Sequence, residues 1–209
     1  DFSLLMQYVK AQSPHRRNGL MIVGDSLSAT NHFLRCMNHS QRAKTTLSEG
    51  IISSVKRDLN SIFYRDSYAA QHGATTWALL NTKPILEPKG GYGHHRFSIQ
   101  GLTQLPKVPL LREIYDHQVR YASVLLGTND AYYHKGLTRF VWRYIQLIES
   151  LLDAGVIPII QTIPPQKSPA RLSKSLIQTF NHAIKAIANV ERVPLLDLHT
   201  PLSKLKNHG

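Results

Sequence analysis

Short apolar segments alternate with amphipathic helical patterns along most of this chain. The apolar segments lie at 20–23, 61–68, 121–126, 156–160 and 195–198. Apolar residues with helical spacing occupy 27–37, 46–59, 138–154 and 173–190. Strands that are joined in this order by helical crossovers lie parallel to each other. The sequence therefore predicts an α/β fold, with one five-stranded parallel sheet between helices.

The 209 residues fit a single domain, and an apolar fraction of 42 % suffices for a core. No window approaches the roughly 18 unbroken apolar residues that a transmembrane helix needs, so no such segment is predicted. The stretch 81–117 breaks the periodicity with Pro, Gly, Lys and the adjacent His94 and His95. It is too long for an ordinary connection, and we expect an insertion that forms a lid or binding loop.

The chain is strongly basic, with 25 Lys and Arg against 13 Asp and Glu and a net charge of +12. This charge favours acidic partners such as acidic glycans, anionic surfaces or nucleic acid. Nucleic acid is disfavoured because only 8 % of the residues are aromatic and no RNP-like or helix-turn-helix pattern is present. The single cysteine, Cys36, excludes a disulfide scaffold and has no Cys or His at zinc-finger spacing. Cys36 thus indicates neither a disulfide framework nor a zinc finger, and no cofactor is predicted for the chain.

Three polar loops follow three of the predicted strands. They contain Gly24-Asp25-Ser26-Leu27-Ser28, then 71–76, then Gly127-Thr128-Asn129-Asp130. Ligands of an open parallel sheet bind at the carboxyl ends of its strands. We expect the three loops to converge on one crevice there.

The residue types in these loops are those of an acyl-transfer site. Ser26 is the candidate nucleophile. Its own N–H, the N–H of Gly73 and the side-chain amide of Asn129 can donate hydrogen bonds to a developing oxyanion. Each motif alone is also typical of an ordinary turn or helix cap. Their occurrence in order, each after its own strand, favours the catalytic interpretation.

Three neighbouring residues, His72, Asp25 and Thr128, are expected to contribute to the substrate cleft. Asp25 and Asp130 adjoin the motif residues, and we expect both to brace their loops through hydrogen bonds rather than to act as acid or base.

The segment Val23-Gly24-Asp25-Ser26-Leu27-Ser28 resembles the first block of the GDSL, or SGNH, hydrolases. Gly127-Thr128-Asn129-Asp130 resembles their third block, and Gly73 falls where their second-block glycine belongs. The resemblance implies a flavodoxin-like three-layer α/β/α sandwich with strand order 2-1-3-4-5. It also implies metal-free hydrolysis of esters or thioesters, with Ser26 as nucleophile and Gly73 and Asn129 in the oxyanion hole.

The last sequence block of that family, which supplies the catalytic base, is not found in this chain. Its members take their base from an Asp-x-x-His block, and the tail of this chain has none. Asp197-Leu198-His199 has the wrong spacing, and His208 has Leu205 three residues before it. Three explanations remain open: the base lies on a segment outside these 209 residues, His199 or His208 acts from an altered geometry, or the fold is not catalytic.

We predict a serine esterase that acts through an acyl-enzyme on Ser26. Its substrate is an ester, with acetyl esters and acylated glycans or lipids as candidates. The alternative is a non-catalytic SGNH-fold module that binds an acidic glycan or a protein partner. The sequence does not specify the oligomeric state or the compartment, and only the resemblance favours an extracytoplasmic location.

Overall fold

A computed structural model of the chain describes residues 2–29, 67–81, 107–133, 135–166 and 172–205. Within these residues four strands form one parallel sheet in the order β1-β2-β3-β4. The strands are β1 (Arg17–Gly24), β2 (Val119–Leu125), β3 (Ile157–Gln161) and β4 (Leu195–Leu196). Val23 pairs with Val124, Val124 with Ile160, and Ile160 with Leu195. All four strands therefore end at the same edge of the sheet.

The predicted α/β architecture with a parallel sheet is confirmed, and the first, third, fourth and fifth predicted strands lie in the predicted order, but the structure shows four strands rather than five. The predicted strand 61–68 lies outside the described residues up to position 66, and Ser67 and Tyr68 are not in a strand. Ala70 instead makes an isolated parallel bridge to Gly24. The chain thus runs beside β1 opposite β2, where the predicted order puts the second strand.

Eight helices flank or precede the strands in the described part of the chain. They are α1 (Phe2–Gln12), α2 (Ser26–Ala29), α3 (Thr76–Leu79), α4 (Pro109–His117), α5 (Thr128–Tyr132), α6 (Leu137–Asp153), α7 (Lys174–Val190) and α8 (His199–Ser203). The N-terminus of α7 is capped by Ser173, whose hydroxyl accepts a hydrogen bond from the N–H of Leu176 at 3.1 Å.

The main core lies between the sheet and the apolar faces of α6 and α7. Phe140 of α6 and Phe180 of α7 are both buried, with ring centroids 4.7 Å apart. Along β1, Met21 and Val23 belong to this core, whereas Ile22 packs with Ala70 in a second, smaller cluster. Successive side chains of a strand point to opposite faces, so β1 is covered on both sides.

Five of the described helices, α1, α3, α4, α5 and α8, lie where the sequence analysis predicted none, and α1 and α4 are the longest of the five. It assigned no element to 2–12, where α1 buries Val9. It also treated 81–117 as one irregular stretch, but residues 109–117 form α4, which buries Leu110 and Ile114 in the main core. Residues 82–106 lie outside the described residues, so the lid remains a prediction. The predicted helix 46–59 and most of 27–37 also lie outside them.

None of the helices that the structure describes is long and apolar enough to cross a membrane.

Candidate active site

The turn from β1 into α2 places Ser26 at the first position of a helix at the carboxyl edge of the sheet. The turn is tightly packed at Gly24. A Cβ atom on Gly24 would lie 2.2 Å from the Ser28 hydroxyl oxygen and 2.9 Å from the Leu125 carbonyl oxygen. Only glycine fits this position without a shift of β2. Ser26 itself is half-buried.

Asp25 lies beneath this turn with only 1 % of its surface exposed. Its Oδ1 atom accepts a hydrogen bond from the N–H of Leu27 at 3.0 Å. Burial raises the pKa of Asp25, and hydrogen bonding from Leu27 and the Thr128 side chain opposes that rise. Oδ2 of Asp25 and the Thr128 hydroxyl are both buried. Asp25 therefore supports the turn from below and has little contact with solvent.

Residues 67–76 form the second loop, which runs alongside the end of β1. The Ser67 hydroxyl donates to the Ile22 carbonyl at 2.8 Å. The N–H of Gly24 donates to the Ala69 carbonyl at 2.8 Å, and the N–H of Gln71 donates to the Gly24 carbonyl at 3.1 Å. These bonds place the turn that contains Gly73 next to the strand that precedes Ser26. Gly73 has a φ of 76°, a left-handed conformation that favours glycine.

The third loop, Gly127–Asp130, is fastened to the second by side-chain hydrogen bonds. Nδ2 of Asn129 donates to the Ala74 carbonyl at 3.0 Å. The Asp130 carboxylate accepts from the N–H of Thr76 at 3.1 and 3.2 Å, and from the Thr76 hydroxyl at 2.7 Å. Asp130 and Thr76 are both fully buried. Loops 67–76 and 127–130 are called the clamped loops below.

The ionisation of Asp130 reflects this burial. Burial raises the pKa of Asp130, while the hydrogen bonds from Thr76 and the positive charge of Arg143 oppose the rise. Tyr144 is also fully buried, and burial together with the nearby charge of Asp130 raises its pKa well above the ordinary value. The carboxylate therefore stands in a dry environment in which its hydrogen bonds to Thr76 are strong.

A residue that the sequence analysis did not single out holds the other end of loop 67–76. Glu113 of α4 is fully buried, and its Oε2 atom accepts a hydrogen bond from the N–H of Tyr68 at 2.8 Å. Arg112 places its guanidinium carbon 5.1 Å from the centre of the Tyr68 ring. The signal in the sequence is a carboxylate on the face that also carries Leu110 and Ile114, at the spacing of one helical turn.

The candidate histidines occupy different places. His72 is exposed on loop 67–76, next to Gly73, and His208 lies outside the described residues. His199 begins α8, directly after β4, and its Nδ1 atom is 3.0 Å from the Ile163 carbonyl oxygen. Its N–H donates to the Thr162 hydroxyl at 2.9 Å. Two strands separate β4 from β1, a distance of about 14 Å at normal strand spacing. His199 is thus anchored beside β3 and not beside Ser26.

Asp197, two residues before His199, belongs to a local network. Its carboxylate accepts hydrogen bonds from Lys185 at 2.7 Å, from the Thr162 hydroxyl at 2.9 Å and from the Thr200 hydroxyl at 2.8 Å. Burial alone would raise the pKa of Asp197, but these hydrogen bonds hold it well below its ordinary value. Asp197 therefore anchors the loop after β4 and makes no hydrogen bond to His199.

Ser26, Gly73 and Asn129 thus follow neighbouring segments at one edge of the sheet, with Asp25 buried beneath them, Thr128 partly buried next to Asn129 and His72 exposed nearby. Within the described ranges, no three His, Cys, Asp or Glu side chains form a group that could hold a metal ion.

Comparison with known proteins assigns the family. The chain resembles the solved structure of a lipase/acylhydrolase from Enterococcus faecalis, with 16 % identity and a TM-score of 0.54 over 92 % of this chain and 82 % of that one. It also resembles the structure of a GDSL-like lipase from Bacteroides thetaiotaomicron, with 13 % identity and a TM-score of 0.52 over 100 % of this chain and 84 % of that one. At these identities the likeness supports the fold alone. No curated protein sequence matches the chain significantly. A model of the GDSL-like lipase/acylhydrolase family matches residues 22–208. The chain therefore belongs to the GDSL-like lipase/acylhydrolase family, which supports a hydrolase that acts on acyl esters.

Proposed function

We propose that the protein hydrolyses carboxylic esters through an acyl-enzyme on Ser26. The Ser26 hydroxyl attacks the ester carbonyl carbon, the alcohol leaves, and water then releases the acid and regenerates the serine. The N–H groups of Ser26 and Gly73 and the Asn129 side chain stabilise the negative charge that develops on the carbonyl oxygen.

One observation carries this proposal. The N–H groups of Ser26 and Gly73 take part in none of the hydrogen bonds formed among the described residues, although the surrounding loop atoms are extensively bonded. A backbone N–H that is left without a partner at the edge of a packed site is available to a ligand. Donors that are fixed in advance stabilise a developing charge without reorganisation.

Asn129 supports the same interpretation. Its amide has two N–H donors, and one of them is used by the Ala74 carbonyl. This bond fixes the plane of the amide, so the direction of the second donor is also set. Removal of one such donor typically lowers kcat by a factor of about 10²–10³.

The proton acceptor for Ser26 remains part of the proposal. A serine hydroxyl needs a nearby base to be a good nucleophile at neutral pH. Within the described residues His199 is anchored on the Ile163 carbonyl, beside β3. His199 and His208 are the candidate bases within this chain, and a base on a segment outside the 209 residues is the third possibility.

A second function is favoured by a specific observation. No histidine is hydrogen-bonded to Ser26 among the residues that the structure describes. A module that binds an acidic glycan or protein at the same edge of the sheet would need no such base. The two functions differ in their dependence on the Ser26 hydroxyl.

The test is hydrolysis of p-nitrophenyl acetate by the 209-residue chain and its Ser26→Ala variant. We expect Ser26→Ala to abolish the rate, because the proposed mechanism forms the acyl-enzyme on the Ser26 hydroxyl. The matched control is Ser175→Ala, which removes a hydroxyl on the exposed side of α7 and should leave the rate unchanged. Labelling with a phosphonate ester, followed by mass spectrometry, should modify Ser26 alone. A rate that survives Ser26→Ala would overturn the mechanism.

A further inference from the structure

Helix α1 carries more apolar residues than the protein core covers. On its inner side Val9 is buried, and Leu5 packs against the main core. On its outer side Leu4 and Tyr8 are 60 % and 49 % exposed, and Ala11 is exposed as well. The outer side of a surface helix is normally polar. The fold therefore leaves apolar side chains uncovered at a place where polar ones are usual.

The three exposed residues lie on one side of the helix. Tyr8 follows Leu4 by four positions and Ala11 follows Tyr8 by three, which are the spacings at which helical side chains are neighbours. Seen along the helix axis, the three side chains fall within about 60° of each other, because each residue advances by about 100°. They form one continuous apolar stripe.

A cavity of about 280 Å³ joins this stripe to the end of α7. Its lining consists of Leu4, Leu5 and Tyr8 from α1, together with Glu191 and Arg192 from the turn that follows α7. The stripe and the two charged residues therefore border the same depression in the surface. The exposed apolar stripe and these two charged residues together are called the α1 face.

The charge of the α1 face is balanced. Glu191 supplies one negative charge and Arg192 one positive charge, and neither forms an ion pair with any residue that the structure describes. Lys10 lies two positions from Tyr8 and therefore on another side of α1. The chain as a whole has a net charge of +12. A polyanionic partner would be attracted by the rest of the molecule and would gain little from a balanced, apolar face.

We propose that the α1 face pairs with the same face of a second copy of the chain. A two-fold axis brings a surface patch against itself, so that each contact between two residues occurs twice. On a face with one acidic and one basic residue side by side, this symmetry places Glu191 of each copy against Arg192 of the other. A second copy thus satisfies both charges, which a uniformly acidic or basic partner cannot do.

The same axis sets the two copies of α1 antiparallel and in contact. Pairing about the middle of the helix brings Leu4 of one copy opposite Ala11 of the other, a large side chain against a small one. Tyr8 lies close to the axis, and large aromatic residues at the centre of an interface contribute most to its affinity. The exposed apolar area of the stripe is then removed from water, which favours the dimer.

The α1 face is separate from the candidate active site. Glu191 and Arg192 come between α7 and β4, so they lie toward the amino end of β4. Ser26 follows β1 at the opposite, carboxyl edge of the sheet. The pairing therefore does not need the Ser26 hydroxyl and is independent of the proposed function.

The experiment is sedimentation velocity of the full chain over a range of concentrations at about 150 mM salt, where charges more than about 8 Å apart are largely screened. We expect the sedimentation coefficient to rise from that of a monomer to that of a dimer and no further, because a two-fold interface is closed. Tyr8→Arg should raise the Kd at least about 30-fold. The matched control is Tyr115→Arg, which changes a similarly exposed tyrosine on α4 and should leave the Kd within about twofold.

Charge reversal tests the two-fold pairing itself. Glu191→Arg and Arg192→Glu each place like charges across the axis and should weaken self-association at least about tenfold. Mixed in equal amounts, the two variants should form a heterodimer, because each acidic residue then meets a basic one. Lys174→Glu is the control, since Lys174 is exposed at the other end of α7, about 25 Å away, and should dimerise like the unmodified chain. Circular dichroism of each variant checks that it is folded.

Several outcomes would overturn the proposal. One is a chain that stays monomeric at every concentration up to about 1 mM. Others are equal losses in Tyr8→Arg and Tyr115→Arg, oligomers that keep growing with concentration, or two charge-reversed variants that fail to associate on mixing although the unmodified chain dimerises. Ser26→Ala should dimerise like the unmodified chain. Dimerisation without any ester hydrolysis would therefore leave the pairing intact and count against the proposed function alone.

Discussion

Loop 67–76, the loop after β2 and the loop after β4 lie at the same edge of one sheet, but they are held in different ways. The clamped loops are joined by buried groups, with the Asp130 carboxylate on Thr76 and the Asn129 amide on Ala74. The loop after β4 follows a strand of only two residues, both of them exposed leucines. Its network around Asp197 is partly open to solvent.

The contrast concerns how rigidly the loops around the proposed active site are held. In the proposed mechanism the nucleophile and the oxyanion donors must stand in a fixed relation to each other, and buried hydrogen bonds between the clamped loops contribute to that rigidity. The loop after β4 is anchored by contacts that solvent screens, so it contributes less rigidity. The predictions below test this contrast by removing the anchors on each side.

The largest effect is expected for Asp130→Ala. The substitution leaves the buried N–H and hydroxyl of Thr76 without their acceptor, and each such group costs about 1–3 kcal/mol. We expect the free energy of unfolding in urea to fall by about 2–6 kcal/mol, together with a loss of esterase activity. The control is Asp153→Ala, which removes an exposed carboxylate near the end of α6. Equal stability of the two variants would show that the clamp does not hold the loops together.

A smaller effect is expected at the other end of loop 67–76. Glu113→Ala removes the acceptor of the Tyr68 N–H and should lower the free energy of unfolding by about 1–2 kcal/mol. Glu113→Gln keeps an acceptor oxygen of similar reach and should restore at least half of that loss. Amide hydrogen exchange at Tyr68 should accelerate in the alanine variant and not in the glutamine variant. If both variants exchange alike, Glu113 is not the anchor.

Much of the sheet was predictable because its strands are continuous apolar runs. The predicted helices 138–154 and 173–190 correspond to α6 and α7 within one residue at each end. α4 was not predicted, because its buried face carries the charged Glu113 between Leu110 and Ile114. A buried carboxylate is identified by its partner, and Tyr68 lies 45 residues away in the chain.

In the candidate site, too, contacts between residues far apart in the chain could not be predicted from local sequence patterns. The positions of Ser26, Gly73 and Asn129 at one edge followed from the loops after parallel strands. The bonds that fix the clamped loops join residues 54 and 55 positions apart in the chain. Such pairs depend on the packing of α3 and α5, which local sequence patterns do not encode. The anchoring of His199 on Ile163 is a tertiary contact of the same kind.

The smallest effect is expected in the loop after β4. Asp197→Asn removes the charge that pairs with Lys185, and both side chains are partly exposed. A pair of this kind contributes about 1 kcal/mol or less, so the variant should lose no more than that at pH 7 in urea unfolding.

The pH dependence of that loss follows from the pKa of Asp197. Its hydrogen bonds outweigh burial and hold the pKa below the ordinary value, so the folded state binds this proton less tightly than the unfolded state. The stabilisation is complete above the unfolded pKa of about 3.9 and is lost as the pH falls below it. The difference between the unmodified chain and Asp197→Asn should therefore shrink between about pH 5 and pH 2, and Lys185→Gln should behave like Asp197→Asn. A loss at pH 7 as large as that of Asp130→Ala would mean that the loop after β4 is held as firmly as the clamped loops, and the contrast between the two regions would be wrong.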